Sequence, residues 1–220
     1  MLECVETETG PSPEHSIVWL HGLGADGNDF APIVPQLRSA QSRAVRFVFP
    51  HAPVRPVTVN GGMAMRAWYD IKGFDIARDQ DSEGIAQSMA QVAQLLEREF
   101  DRGIDRQNLL LAGFSQGGAL ALRTALSQRA GLAGAIALSC YLLDASSLDQ
   151  WLTPAGRNTP VFMAHGTQDP VVPVALGRAA AKTLAEQHVG VDWSEWRMQH
   201  AVCPEELQAL DRWMEQRFSS

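Results

Sequence analysis

Residues Asn108-Leu109-Leu110-Leu111-Ala112-Gly113-Phe114-Ser115-Gln116-Gly117-Gly118 decide the fold. An apolar run of strand length passes through G-x-S-x-G straight into a helical pattern, residues 116–129. A turn that joins strand to helix so abruptly leaves no room for side chains on either flank, hence glycine at both ends. It lifts the serine hydroxyl above the end of the strand and aims the next backbone N–H at whatever the serine attacks. The positive end of the new helix favours negative charge developing there. The bare five-residue pattern recurs by chance; the strand–turn–helix context gives it weight.

Further apolar runs of strand length lie at residues 16–20, 45–49, 133–138, 160–164 and 191–196. Most are continuously apolar, as parallel strands covered on both faces are. The last alternates and belongs nearer a sheet edge. Helical patterns separate them. In residues 82–100, Ile85, Met89, Val92, Leu95, Leu96 and Phe100 share one stripe, with Asp81 or Ser82 as N-cap. Others cover 174–188 and a final segment starting at Pro204, with Glu205 and Glu206 in its positive first turn. Such alternation implies a mostly parallel α/β sheet with helices on both faces and binding loops at the carboxyl ends of the strands. Residues 57–63, Val-Thr-Val-Asn-Gly-Gly-Met, break the rhythm and read as a hairpin turning at Asn60-Gly61. It is either an edge ornament or one wall of a site.

The chain has 220 residues, 45% hydrophobic and 20% charged, which suits a single domain over 1–220 with one large core. A net charge of −7 with two lysines, Lys72 and Lys182, excludes a nucleic-acid binder that works by broad phosphate neutralisation. No apolar stretch approaches the roughly 18 residues of a membrane span, and the acidic start Met1-Leu2-Glu3-Cys4-Val5-Glu6 lacks a signal-peptide core. Cys4, Cys140 and Cys203 form neither a disulfide framework nor a zinc spacing. A cytoplasmic location without stable membrane insertion is expected. Cys140 and Cys203 read as small buried hydrophobes.

Serine needs a base and an acid that orients it, and in this topology they follow in the order Ser, Asp or Glu, His. Three histidines follow Ser115. His188 ends a helix, where the dipole explains it. His165 ends a strand and precedes Asp169. His200 lies in the loop between the last strand and last helix, which can fold back over the serine, so His200 is the expected base. Asp144 and Asp149 fall near a helix start and Asp192 within a strand. Asp169, in His165-Gly166-Thr167-Gln168-Asp169-Pro170 just past a strand, is the expected acid. The loop His21-Gly22-Leu23-Gly24-Ala25-Asp26-Gly27 matches no nucleotide fingerprint. Its glycines would let the Leu23 N–H approach the substrate oxygen and pair with that of Gln116 as a two-donor oxyanion hole. His21 then holds its loop rather than moving protons. Trp68 and Tyr69 either touch substrate or pack inside; Leu142 is either a pocket or a core residue; Met65 belongs to the apolar side of the hairpin.

The chain resembles the phospholipase/carboxylesterase family of α/β-hydrolases, small carboxylesterases and acyl-protein thioesterases. The resemblance rests on the 21–27 loop, then Pro50-His51-Ala52-Pro53, Asn60-Gly61-Gly62 and Ala67-Trp68-Tyr69-Asp70. It continues in Gly113-Phe114-Ser115-Gln116-Gly117-Gly118, Leu138-Ser139-Cys140-Tyr141-Leu142, His165-Gly166-Thr167-Gln168-Asp169 and Val202-Cys203-Pro204-Glu205-Glu206. It spans nearly the whole chain in order. It implies a Ser115–Asp169–His200 triad, an oxyanion hole from Leu23 and Gln116, and an acyl site lined by the 58–68 hairpin and the loop after it. Where the family carries Gly-His-Ser, this chain has Gln199-His200-Ala201, a difference that falls on the loop beside the base.

The expectation is therefore an α/β-hydrolase without a large cap, its one insertion the hairpin near 57–68. It would cleave carboxylic esters of short to medium acyl chain through an acyl-enzyme, with no metal or organic cofactor. Trp68, Leu142 and Met65 are the candidate substrate contacts. The alternative is an acyl-protein thioesterase or lysophospholipase acting on longer acyl groups. The rival outside enzymes is a silent binding scaffold, against which the complete triad argues. The partner is a small ester or thioester; a homodimer is compatible with the sequence, which points to no patch for it.

Overall fold

The computed structural model describes residues 1–73 and 79–218. Its main sheet runs in the order β1-β3-β2-β6-β7-β8-β9. These strands are β1 (Cys4–Glu8), β2 (His15–Leu20), β3 (Val45–Pro50), β6 (Leu109–Phe114), β7 (Gly134–Leu138), β8 (Val161–Gly166) and β9 (Val191–Trp196). All neighbours pair in parallel except β1, which lies antiparallel on β3. The inner strands are the continuously apolar ones. Ile17, Val18, Leu20, Leu109, Leu110 and Leu111 are fully buried, because both faces of the sheet are covered. The alternating run β9 is an edge, as its pattern predicts.

The helices are α1 (Arg38–Gln41), α2 (Ser82–Asp101), α3 (Gln116–Leu126), α4 (Leu148–Trp151), α5 (Pro154–Arg157), α6 (Val174–Glu186) and α7 (Pro204–Phe218). On one face Val92, Leu95 and Leu96 of α2, Leu120 and Leu122 of α3 and Leu184 of α6 form a single apolar cluster. On the other, Leu37 and Ala40 pack with Leu210, Trp213, Met214 and Phe218 of α7. The α2 stripe is as the periodicity predicts. It also carries Glu99, a fully buried carboxylate that accepts from Ser16 Oγ at 3.0 Å and Arg46 Nη1 at 3.1 Å. The charge tolerated there is paired and hydrogen-bonded, the condition for burying it. Asp81 sits at the N-cap of α2, but its carboxylate accepts from the Asp70 N–H at 3.0 Å. No helix among the described residues is long and apolar enough to cross a membrane.

The hairpin exists, but not with a two-residue turn at Asn60-Gly61. Strands β4 (Val54–Val57) and β5 (Met63–Arg66) pair with Val57 opposite Met63, so residues 58–62 connect them. Positive φ falls on Gly61 at 66° and Gly62 at 77°. The reason is Asp70, whose carboxylate takes the Thr58 N–H at 2.7 Å and the Thr58 hydroxyl at 2.6 Å. Thr58 is thereby held in a 3-10 turn instead of the ladder.

Glu206, in the first turn of α7, is fully buried, and neither carboxyl oxygen makes a hydrogen bond to a described residue. Burial pushes the carboxyl up to about 8, opposed by the facing Cys203 N–H. Below the ordinary value of 4.5 it is protonated in folded and unfolded chains alike. Above that, only the unfolded chain releases the proton, so this group's contribution drains away as pH rises and is gone above about 8. The full swing is on the order of 5 kcal/mol. Glu206→Gln should gain stability relative to the parent chain between about pH 5 and about pH 9 in urea unfolding. An equal difference at both pH values would show that the carboxyl does not titrate this way.

Candidate active site

Ser115 stands between β6 and α3 at φ 55° and ψ −121°, a region that costs a non-glycine residue about 1–3 kcal/mol. The surroundings hold it there. Its N–H donates to the Leu138 carbonyl at 2.8 Å, and its own carbonyl accepts from Ala119 at 3.0 Å. A Cβ on Gly113 would overlap the Gly117 backbone, and one on Gly117 would overlap the carbonyls of Leu20 and His21. The two glycines let strand, turn and helix close on one another beneath the hydroxyl.

His200 and Asp169 reach Ser115 from two other loops. The Ser115 hydroxyl meets His200 Nε2 at 2.9 Å, and His200 Nδ1 meets Asp169 Oδ2 at 2.6 Å. An ionised carboxylate only accepts, so the proton sits on Nδ1 and Nε2 is left to accept from the serine. Asp169 Oδ1 takes the N–H groups of Val171 and Val172 at 2.8 and 2.9 Å. The Phe114 ring packs on the His200 ring, centroids 4.7 Å apart. Gln199 needs no left-handed backbone. The close backbone contact of this loop is made by Gly166, where a Cβ would overlap the carbonyls of Met198 and Gln199. That accommodates Gln199, whose side chain is exposed.

The other acids have other partners. Asp144 pairs with Arg123 at 3.2 Å and Asp192 accepts from the Trp213 indole at 2.7 Å. His21 has both ring nitrogens occupied: Nδ1 donates to the Gly22 carbonyl at 2.7 Å, and Nε2 accepts from Ala52 at 3.0 Å. Burial lowers its pKa, which keeps it neutral. It ties its loop to the segment after β3. Gln116 is the first residue of α3, and such an N–H has no partner within its helix. Leu23 faces the same cavity.

That cavity, about 430 Å3, opens at Ser115 and Gln116. Val171, Val172, Pro173 and Leu176, from the segment after Asp169, line it, as do Leu23, Val59, Asn60, Ile71 and Tyr141. The hairpin loop is therefore a wall of the site through Val59 and Asn60. The three candidate substrate contacts lie elsewhere among the described residues. Trp68 is fully buried, its indole N–H taken by the His21 carbonyl at 2.9 Å. Leu142 packs into the core under the sheet. Met65 turns toward the 21–24 loop, where its sulfur accepts from Asn60 Nδ2 at 3.3 Å. Tyr141 takes the place expected of Leu142, its hydroxyl 2.8 Å from that of Tyr69. The apolar lining after Asp169 is not among the expected contacts, although Val171-Val172-Pro173 directly follows Asp169-Pro170. A depression of about 560 Å3 along α7, lined by Arg38, Asp211 and Arg212, holds no nucleophile–base pair.

The family profile described as Phospholipase/Carboxylesterase matches residues 2–217. Acyl-protein thioesterase 1 of Neurospora crassa is 39% identical over 213 residues, covering 92% of this chain and 86% of that protein. Among solved structures, SOBER1 of Arabidopsis thaliana superposes with a TM-score of 0.86 at 31% identity, over 92% of this chain and 98% of that one. Acyl-protein thioesterase 2 of Zea mays gives 0.85 at 26% identity, over 99% and 100%. The sheet order, the elbow at Ser115 and a profile match along almost the whole chain lead to one statement: this chain belongs to the phospholipase/carboxylesterase family and has the α/β-hydrolase fold.

Proposed function

We propose that the chain is a serine hydrolase that cleaves acyl thioesters and esters, with Ser115 as nucleophile, His200 as general base and acid, and Asp169 as the acid that orients His200. The observation that carries the reading is the continuous hydrogen-bonded line Ser115–His200–Asp169 opening into an apolar cavity. The names of the similar proteins favour the thioesterase alternative over a short-chain carboxylesterase.

In the first half-reaction Ser115 Oγ attacks the acyl carbonyl carbon while its proton passes to His200 Nε2. The carbonyl oxygen becomes an oxyanion held by the N–H groups of Leu23 and Gln116 at the positive end of α3. Collapse expels thiolate or alkoxide, which takes the proton from His200. In the second half, His200 removes a proton from water, the hydroxide attacks the acyl-serine, and the proton returns to Ser115 Oγ as the acid leaves. Asp169 keeps the proton on Nδ1 and stabilises the imidazolium that forms twice. The acyl chain lies in the cavity lined by Leu23, Val59, Ile71, Val171, Val172 and Leu176. Cys4, Cys140 and Cys203 are free thiols, which suits a reducing compartment, and we assign the reaction to the cytoplasm.

Ser115→Ala should lower kcat on a p-nitrophenyl ester and on an acyl thioester by at least about 1,000-fold, leaving only the residue that the oxyanion hole and binding supply. Retention of a larger fraction by a folded variant would remove Ser115 from the nucleophile's role.

In matched thioester and oxyester series below the critical micelle concentration, kcat/KM should climb from acetyl to about hexanoyl or octanoyl. The step is up to about fourfold per methylene, the equivalent of about 0.8 kcal/mol for each buried CH2. It should then level off as the chain leaves the groove. Strict preference for acetyl would mean that the cavity does not take the acyl chain.

A further inference from the structure

The two expected oxyanion donors, Leu23 and Gln116, sit on separate pieces of chain: a loop after β2 and the first residue of α3. Their separation must be held to a fraction of an ångström, because a misplacement of about 1 Å costs on the order of 100-fold in rate. The segment from Arg66 to Tyr69, just after the hairpin, touches both pieces. On the loop side it grips the chain on either side of Leu23. The Arg66 carbonyl accepts from the Gly24 N–H at 2.8 Å, and the Trp68 indole N–H donates to the His21 carbonyl at 2.9 Å. On the helix side, the Gln116 carboxamide is bound twice. Its Oε1 accepts from the Trp68 backbone N–H at 2.9 Å, and its Nε2 donates to the Tyr69 carbonyl at 2.8 Å. The Ser88 hydroxyl from α2 caps the Trp68 carbonyl. Trp68, Tyr69, His21, Gln116 and Ser88 are buried, so the bonds that Trp68 and Gln116 make are shielded from water, and a lost partner there would leave an unpaired polar group, whereas the Gly24–Arg66 bond lies at an exposed glycine.

We infer that Trp68 is a positioning residue that couples the two halves of the oxyanion hole, holding the Leu23 loop with its indole N–H and the Gln116 helix end with its backbone N–H. The inference rests on the proposed serine-hydrolase reading. It gives a buried tryptophan that is not among the residues lining the cavity a place in the rate of the chemical step. Burial alone does not dictate an indole partner, since Trp19 is buried too and its indole nitrogen has none among the described residues. For Trp68 that partner is the carbonyl two residues before the donor Leu23, and the His21 ring lies 5.3 Å from the Trp68 ring, centroid to centroid.

Trp68→Phe keeps most of the ring and removes the N–H. The probe is a trifluoromethyl ketone with a hexyl chain. Ser115 Oγ adds to its carbonyl carbon, the serine proton passes to His200, and the hemiketal oxyanion occupies the hole. A simple hexyl alcohol, which fills the groove without needing the hole, serves as the ground-state ligand. The variant should lose at least about tenfold in kcat with KM nearly unchanged, lose ketone affinity by a similar factor, and bind the alcohol as the parent chain does. Gln116→Glu, which replaces the donor to Tyr69 with an acceptor, should give the same split and stands in should the phenylalanine variant not fold. Equal losses for ketone and alcohol, or a lower Tm with kcat and ketone affinity intact, would overturn the inference. A parent chain that neither turns over esters nor binds the ketone would instead overturn the serine-hydrolase reading beneath it.

Discussion

The left-handed backbone of Ser115 is the constraint from which the rest of the site follows. At φ 55° the residue cannot continue the strand, so β6 ends and α3 begins within a single peptide unit. The strain is compensated by bonds that only this arrangement allows, with the Ser115 N–H tied to β7 and Gly117 laid against the end of β2. Three neighbouring strands of the parallel sheet thus meet at the turn, and the loops that leave them converge there. Because β8 follows β7 in the sheet, Asp169 arrives two strands away. The loop after the edge strand β9 then brings His200 between acid and serine.

The same convergence explains why the apolar cavity adjoins Ser115. The loop that carries Asp169 continues as Val171, Val172 and Pro173, with their N–H groups at positions 171 and 172 spent on the carboxylate and their side chains turned to the cavity or its rim. The hold on the Asp169 carboxylate and the lining of the cavity come from one loop. Around it, polar groups are matched in pairs. His21 uses both ring nitrogens on backbone groups, and His165 Nε2 donates to the Val172 carbonyl at 2.8 Å while Asp169 Oδ2 lies 3.5 Å away. Burial lowers the pKa of both histidines, which disfavours a positive charge on either ring.

Much of this was legible in the residues. Continuous apolar runs marked the inner strands, and the alternation in 191–196 marked an edge, since burial on one or both faces writes itself directly into sequence. Ser115, Asp169 and His200 could be singled out by order and by position after strands, and the structure brings the three into hydrogen-bonding distance. What escaped were features set by contacts between distant segments. Asp70 captures Thr58 and shifts the hairpin turn. Trp68 spends its indole N–H on His21, and Tyr141 rather than Leu142 faces the cavity. Glu99 and Glu206 look like surface residues of amphipathic helices and are fully buried. No local periodicity encodes these outcomes, because each depends on which element lies opposite.

The proposed activation of Ser115 runs through His200 to Asp169. The most direct measurement treats the native chain with a fluorophosphonate and locates the adduct by peptide mass spectrometry, alongside His200→Ala with Ser115 unchanged. One adduct per chain is expected, on Ser115, with labelling slowed by at least about 100-fold in the histidine variant, since general-base assistance contributes about 100- to 10,000-fold. An adduct on another residue, or equal labelling rates with and without His200, would contradict it.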